Sequence, residues 1–177
     1  MAEIAVALVH YPILSRSGET SATAITPIDV HDFARSCAFY GVGPVYLVHP
    51  AAGMHALVQD MLDYYMHGTG GKRNPARREV LSAVRMVNAL EDVMADGDYH
   101  LWYTSATPPG MACTSPESLA KMDGKHLIVF GTGSGLDVKN MPPANGWLSP
   151  IEGVGKVRHL SVRGALAIYL DRLQLND

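Results

Sequence analysis

The stretch "HLIVFGTGSGLDV", residues 126–138, decides how the rest of the sequence is interpreted. An apolar run of β-forming residues leads into the loop "GTGSG" at 131–135, as at the end of a buried strand. Glycine-rich turns after strands let a ligand approach the main chain, as they do in nucleotide sites. The stretch therefore predicts a strand that ends in a ligand-binding loop. A turn without a ligand is the simpler alternative.

Two common glycine-rich motifs fit the stretch poorly. A Rossmann fingerprint stands near the start of a βαβαβ unit, with an acidic residue about 20 positions later. Glu152 lies 21 residues after Gly131, but "PPANGWLSP" between them leaves no room for a crossover helix. Only 42 residues follow Gly135. A P-loop is excluded because no Lys-Ser/Thr pair follows the glycines.

The composition predicts one packed domain over residues 1–177. Of the 177 residues, 47% are hydrophobic and 18% are charged, a balance typical of globular proteins. No apolar segment reaches the roughly 18 to 20 residues of a membrane span. Glu3 stands where a signal peptide needs basic residues, so the N-terminal apolar run is interpreted as a strand. Two cysteines and scattered histidines predict a cytoplasmic protein without a metal cluster.

The net charge of −3 does not by itself indicate a nucleic-acid-binding protein. The stretch "GGKRNPARR", however, carries Lys72, Arg73, Arg77 and Arg78 with no acidic residue among them. A local basic cluster on a mildly acidic protein is able to contact phosphates. A solvated loop that leads into a helix is the alternative for this stretch.

Apolar strands alternate with amphipathic helices along the chain. Strands are predicted over 4–10, 44–50, 99–106 and 126–131, and a tight turn at Ser17-Gly18. Thr26 and Pro27 begin a helix that Gly41 ends, and a second helix covers 54–65. A third helix begins at Asn74-Pro75, and its apolar stripe consists of Val80, Val84, Val87, Leu90 and Met94. The last helix covers 160–173, with Ser161 as its cap. This order predicts an α/β fold with a largely parallel sheet flanked by helices.

Three segments in this order resemble the SPOUT (α/β-knot) RNA methyltransferases. The segment "DVHDFARSCAFYGV" has Asp29, His31, Arg35 and Gly41 at the spacing of the first motif of the 2′-O-ribose branch. The segments "LIVFGTGSGL" and "LSVRGALAIYLDRL" match the second and third motifs. More narrowly, "HYP", "ATAITPIDVHDFAR" and "HLSVR" are similar to a small bacterial family of S-adenosylmethionine-dependent RNA methyltransferases.

The resemblance implies a C-terminal trefoil knot, bound S-adenosylmethionine and a homodimer. It also implies methyl transfer to RNA, either tRNA or rRNA, on a ribose 2′-oxygen or a base nitrogen. The sequence departs from the 2′-O branch at Asp29, where that branch has Asn, and in the second motif, which lacks a Glu. Ser161 and Arg163 replace Asn and Ser of the third motif. A catalytically inactive knot-fold protein that binds S-adenosylmethionine and RNA is therefore the alternative.

The resemblance also implies cofactor-binding residues in three segments. They lie in the end of a strand, in the glycine loop and in the loop before the last helix. These residues are Thr104, Ser105, Ala106, Gly131, Thr132, Gly133, Gly135, Leu148, Ile151, Gly153, Leu160 and Ser161. Turn chemistry and core packing are the alternative explanation for the same residues.

Arg35 is the predicted catalytic residue, because it matches the arginine that the 2′-O branch assigns to the ribose hydroxyl and a phosphate. At its usual pKa an arginine orients and stabilises charge rather than accepting a proton. Asp29 and His31 are further candidates, and a helix-surface pair with Asp32 or His31 is the alternative for Arg35. Arg163 stands in a first helical turn, where a basic residue is disfavoured, which predicts an anionic partner such as the cofactor carboxylate or an RNA phosphate. His10 ends the first strand, and it either faces the cofactor pocket or, as the simpler alternative, is a core or edge histidine.

Overall fold

The computed structural model describes residues 2–110 and 112–173. Within these ranges the strands are β1 Ala2–Val9, β2 Ile13–Leu14, β3 Thr20–Ser21, β4 Val45–Val48, β5 Val84–Val87, β6 Tyr99–Tyr103, β7 Gly124–Gly131 and β8 Gly146–Trp147. The helices are α1 Pro27–Phe39, α2 Ala52–Met66, α3 Thr69–Arg73, α4 Pro75–Leu81, α5 Leu90–Asp96, α6 Pro116–Leu119 and α7 Val162–Leu173, with a 3₁₀ turn at Val138–Asn140. None of the helices in these ranges is long and apolar enough to cross a membrane.

Six strands form one parallel sheet in the order β5-β4-β1-β7-β6-β8. The central pair is β1 and β7, which run side by side from Ala2↔Gly124 to Val9↔Gly131. Residues 4–9 of β1 and 126–130 of β7 are all buried, as expected for central strands that helices cover on both faces. The largely parallel α/β sheet predicted from the sequence is therefore confirmed.

Two apolar layers cover the sheet. On one face, α1 and α7 pack through edge-to-face contacts of Phe130 with Phe33 and Tyr169, at centroid distances of 6.0 and 5.7 Å. On the other face, Val93 of α5 packs with Leu101 and Leu127 of the sheet. These buried side chains hold the ends of β1 and β7 rigidly, which matters because the loops of the site follow those ends.

The first and last helices begin as their sequences predict. Thr26 accepts a hydrogen bond from the N–H of Asp29 at 3.2 Å, and Pro27 occupies the first turn. Ser161 accepts one from the N–H of Gly164 at 3.2 Å. Each side-chain oxygen satisfies an N–H group that has no acceptor within its own helix.

The single long helix predicted after Asn74 is wrong. The structure has α4, then the strand β5, then α5, so Val80, Val84, Val87, Leu90 and Met94 belong to three elements. The β-branched ends of β5 pair with β4, as Val45↔Val84 and Val48↔Val87. The spacing of the apolar residues suited a helix, but pairing along the edge of the parallel sheet gives the same residues burial and backbone partners together.

The hairpin of β2 and β3 folds over the glycine loop. The N–H of Leu14 donates to the carbonyl of Gly135 at 2.8 Å, and the N–H of Ser134 donates to the carbonyl of Leu14 at 3.0 Å. Gly133 has φ +59°, and a Cβ there would lie 2.7 Å from Cδ1 of Ile13. A side chain at this position would therefore push the hairpin and the loop apart.

Replacing Gly133 with alanine is expected to destabilise the fold by about 1 to 3 kcal/mol, through the left-handed backbone and the clash with Ile13. Gly153→Ala is the matched control, because a Cβ there meets no atom within 4 Å and φ lies outside the left-handed region. It should change the free energy of unfolding by less than about 0.5 kcal/mol. Urea denaturation of both variants measures the difference, and equal stabilities would refute the packing described.

Candidate functional site

A cavity of about 1060 Å³ opens at the carboxyl ends of β1, β6 and β7. From β1 the chain passes to β4 and β5 on one side, and later to β6 and β7 on the other. The pair β1 and β7 is therefore the point where the strand order reverses. Open parallel sheets bind ligands in the crevice at such a point. The cavity is also large enough for a nucleoside-sized cofactor.

Ten of the twelve residues predicted to bind the cofactor lie on the wall of this cavity. They come from the end of β6, the glycine loop and the segment before α7, and they are Thr104, Ser105, Ala106, Gly131, Thr132, Gly133, Gly135, Ile151, Leu160 and Ser161. Leu148 is instead fully buried in the apolar core. Gly153 is exposed, and its carbonyl accepts a hydrogen bond from Arg158 at 2.9 Å. The part that each of these residues takes in binding stays a prediction.

The sequence-based interpretation missed one wall of the cavity. This wall is formed by the hairpin and the segment that follows it, including Leu14, Arg16 and Thr23. The hydroxyls of Thr23 and Thr132 form a hydrogen bond, which attaches this segment to the glycine loop. A Ser-Gly turn predicts that the hairpin exists, but not that it packs against residues more than 100 positions away. His10 and Tyr169 also line the cavity.

Asp29 is the acidic side chain at the cavity, and it is held from several directions. Its Oδ1 accepts a hydrogen bond from Arg163 at 3.1 Å, and its Oδ2 accepts one from Thr26 at 2.7 Å. Nε2 of His10 lies 3.7 Å from the same Oδ2. Burial raises the pKa of Asp29, but His10, Thr26 and Arg163 together lower it more, to about 2. The carboxyl group is therefore ionised at neutral pH and a weak base by itself.

Arg163 finds its anionic partners within the chain. Its Nε lies 3.3 Å from Oδ2 of Asp32, in addition to the contact with Asp29. Two carboxylates of α1 therefore compensate its charge within the chain, and a contact of Arg163 with the cofactor carboxylate or an RNA phosphate stays a prediction. This arrangement also joins the start of α7 to α1, and it leaves Asp32 paired with Arg163 rather than with Arg35.

His31 and Arg35 lie further along α1, outside the cavity wall. Nδ1 of His31 is 3.1 Å from a guanidinium nitrogen of Arg77, and its ring contacts Tyr65 edge to face. Burial first, and then the charges of Arg77 and Arg35, lower the pKa of His31. Arg35 is exposed to solvent. The structure thus brings His31, Arg35 and Arg77 together and places Asp29 with the cavity.

Lys72, Arg73 and Arg78 are exposed on α3 and α4, beside Arg77. The N–H of Arg77 donates to Oδ1 of Asn74 at 3.0 Å, so the second of these helices begins at the predicted cap. The helix α4 packs against both α3 and α1, and we refer to their basic residues as the basic surface: Lys72, Arg73, Arg77, Arg78 and Arg35.

Tyr169 closes the base of the cavity. Its hydroxyl donates to the carbonyl of Ser149 at 2.8 Å, and burial raises its pKa to about 12. The phenol is therefore neutral at physiological pH. It orders the segment before α7 rather than accepting protons from a ligand.

Replacing Asp29 with asparagine is expected to lower the free energy of unfolding at pH 7 by about 1 kcal/mol, less than the full pKa shift implies because asparagine still accepts a hydrogen bond at this position. The pKa of Asp29 in the folded protein lies below its ordinary value of 3.8, so this stabilisation exists above about pH 4. It is lost as the pH falls towards 2.

Urea denaturation from pH 2 to pH 7 measures this effect. The difference between wild type and Asp29→Asn should narrow as the pH falls below 4. Asp60→Asn, on the exposed side of α2, should differ little from wild type throughout. A difference for Asp29→Asn that stays constant over the whole range would contradict the charge interactions described.

Comparison with known sequences gives a family match over almost the whole chain. Residues 3–175 match the family described as SAM-dependent RNA methyltransferase. A protein of Aquifex aeolicus is 34% identical over 177 residues, which is 95% of this chain and 86% of that protein. A tRNA (guanine-N(1)-)-methyltransferase of Nitratidesulfovibrio vulgaris is 33% identical over 173 residues, which is 94% of this chain but only 41% of that enzyme.

Solved structures share the fold at low sequence identity. TrmJ from Z. mobilis ZM4 has a TM-score of 0.61 at 18% identity, over 96% of this chain and 67% of that one. The A. aeolicus TrmH/SpoU tRNA modifying enzyme has a TM-score of 0.57 at 13% identity, over 97% and 74%. The resemblance to SPOUT methyltransferases and the α/β fold are therefore confirmed, while the trefoil knot stays a prediction. The chain belongs to the family of S-adenosylmethionine-dependent RNA methyltransferases.

Proposed function

We propose that the protein methylates tRNA, on a ribose 2′-hydroxyl, with S-adenosylmethionine bound in the cavity. The observation that carries this proposal is the position of α1 between the cavity and the basic surface. Asp29 lies at the cavity, and His31, two residues later, contacts Arg77 of the basic surface. An RNA held by its phosphates on that surface would have a nucleotide within reach of the cavity.

The names of relatives support tRNA as the RNA class. Two of them are tRNA (guanine-N(1)-)-methyltransferases, and this chain spans 41% of the length of each. A structure described as providing insights into 2-OH methylation of C/U34 on tRNA matches at a TM-score of 0.57, over 97% of this chain and 93% of that one. Because this match covers nearly the full length of both chains, it favours the ribose hydroxyl as the methyl acceptor. The base nitrogen is the second candidate, because of the two relatives named for guanine N1.

The cavity residues suit S-adenosylmethionine. The glycine loop presents backbone, and Gly135 has open space beside it for a ligand. Ile151 and Leu160 offer apolar contacts to an adenine on the opposite wall, while Thr104 and Ser105 lie at the end of β6. The bound cofactor supplies an electrophilic methyl group. The residues of the chain then have to orient the acceptor and remove its proton.

We propose a homodimer whose interface includes the segment before α7. Ile28 directly precedes Asp29 in α1 and is 58% exposed, and Leu160, which lines the cavity, is 51% exposed. Exposed apolar residues clustered beside a site are typical of an interface. Sedimentation equilibrium should show a dimer that Ile28→Glu with Leu160→Glu dissociates. A monomeric wild type would refute the dimer and leave the proposed reaction standing.

Nucleoside analysis tests the reaction itself. tRNA and rRNA from a strain that lacks the gene are digested and compared with wild type by mass spectrometry. Loss of a 2′-O-methylated nucleoside from tRNA is the expected result. Loss of a base-methylated nucleoside would support the second candidate instead. No loss from either RNA would support the catalytically inactive binding protein.

Arg35→Ala is expected to retain the affinity for S-adenosylmethionine and to slow methyl transfer by about a hundredfold or more, because the charge that orients the acceptor nucleotide through its phosphate is lost. Arg35 lies outside the cavity wall, which is why cofactor binding should survive. Calorimetry and single-turnover transfer to unmodified tRNA measure the two effects. Arg35→Lys should recover part of the rate, and a parallel loss of cofactor binding would show that Arg35 serves the cofactor instead.

Arg73→Ala and Arg78→Ala test the basic surface. Each should weaken tRNA binding and lower the slope of log affinity against log salt by about one, since each removes one phosphate contact. Lys125→Ala is the matched control, because Lys125 is exposed at the opposite end of the sheet, near the start of β7. Filter binding at several salt concentrations gives the slopes. An unchanged slope for both arginine variants would place the RNA elsewhere.

A further inference from the structure

His10 is buried beside the cavity, and its ring has unsatisfied hydrogen-bonding capacity. It is 0% exposed and follows the last residue of β1. Its N–H donates to the carbonyl of Val48 at 3.0 Å, and its carbonyl accepts from the N–H of Thr23 at 2.9 Å. Within residues 2–110 and 112–173, neither ring nitrogen has a hydrogen-bond partner. Buried polar groups without partners are rare and point to a functional reason.

The nearest charged group is the carboxylate of Asp29. The 3.7 Å between Nε2 of His10 and Oδ2 of Asp29 is too long for a hydrogen bond but within the range of an ion pair. A neutral imidazole carries one proton, so one of its nitrogens always lacks a hydrogen. In the tautomer that carries its proton on Nδ1, the lone pair of Nε2 faces the carboxylate. A second proton, placed on Nε2, would turn this unfavourable contact into an ion pair.

The other polar groups near His10 already have hydrogen-bond partners. Arg163 holds Oδ1 of Asp29, and Thr26 donates to Oδ2, so the carboxylate is fixed with one edge towards the imidazole. His49, on the strand end next to β1, has a lowered pKa, caused first by burial and then by His10 and His55. Its Nδ1 already accepts from the N–H of Ala51 at 3.0 Å.

We propose that His10 is a positioning residue that receives, through Asp29, the proton lost by the methyl acceptor. This inference rests on the function proposed above. As the acceptor oxygen forms its bond to the methyl carbon, the carbon–sulfur bond breaks and its electron pair stays on sulfur. The hydroxyl proton passes to Oδ2 of Asp29 and on to Nε2 of His10. The imidazolium then pairs with the carboxylate until the proton returns through Asp29 to water at the cavity.

The different roles of Asp29 and His10 follow from the positions of their side chains. Asp29 lies at the cavity and is able to meet the acceptor, but with a pKa of about 2 it does not retain a proton. His10 is closed off from solvent, and its ring nitrogens have no hydrogen-bond partner among the described residues that would compete for the proton. Together the two side chains therefore accept the proton of the methyl acceptor.

The test compares His10→Gln with wild type in single-turnover methyl transfer to unmodified tRNA from pH 5 to pH 9. In the wild type the rate should level off within this range, because a side chain of the protein accepts the proton. In His10→Gln it should be about 10- to 100-fold lower at pH 7 and continue to rise, because hydroxide replaces the imidazole. Calorimetry should find the affinity for S-adenosylmethionine within about threefold of wild type. His100→Gln, exposed at the other end of the sheet, is the control.

A second measurement is independent of activity. Carbon NMR of the Asp29 carboxyl should show its pKa rising above about 2 in His10→Gln, because His10 is one of the groups that lower it. An unchanged pKa, or a rate profile in His10→Gln that keeps the shape of the wild type, overturns the relay. Loss of cofactor binding in step with the rate would make His10 a ligand contact and also overturn it.

The two proposals fail in different ways. A wild-type protein that transfers no methyl group to tRNA overturns the proposed function, and the relay falls with it because no proton is released. An active wild type with an unaltered His10→Gln profile overturns the relay alone.

Discussion

The parallel pairing of β1 with β7 is the constraint on which the rest of the structure depends. It joins residues more than 120 positions apart and aligns Val9 with Gly131, so the loops that follow both strands emerge side by side. Thr132 then donates to the carbonyl of Val9 from both its N–H, at 3.2 Å, and its hydroxyl, at 3.1 Å. A shift of one residue in this register would turn His10 and the glycine loop away from each other and remove the cavity.

The cavity depends on charges as well as on strand register. Arg163 at the start of α7 binds two carboxylates of α1, so the helix that carries the C-terminal motif is held against the helix that carries the N-terminal one. Because α1 also reaches Arg77 through His31, one helix connects the cofactor cavity with the basic surface. If RNA binds on that surface as proposed, α1 connects the bound RNA directly to the cavity wall.

The sequence predicted best those features that local residue patterns determine. The apolar runs of β1, β4 and β7 have the length and composition of buried strands, and Thr26 with Pro27 marks the start of a helix through side-chain chemistry that needs no tertiary partner. The helix predicted after Asn74 failed because Val84 and Val87 suit a helical stripe and an edge strand equally, and only β4 decides between them. The sequence also did not predict that the hairpin forms a wall of the cavity, or which residues pair with Arg163. The reason is the same, because both features depend on residues distant in the chain.

His10 shows why a reactive group is harder to find from sequence than a ligand-binding loop. Glycine-rich loops are recognisable because the backbone geometry that a ligand needs restricts the residue type. A histidine at a strand end has no such signature, and an apolar neighbourhood makes it resemble an ordinary core residue. What distinguishes His10 is that its ring nitrogens have no hydrogen-bond partner among the described residues, although Nε2 lies 3.7 Å from the fixed carboxylate of Asp29. This property depends on two side chains that are 19 positions apart in the sequence. When the residues of a family motif differ from their usual types, the buried polar atoms of the cavity that have no partner are therefore the place to look for a proton acceptor.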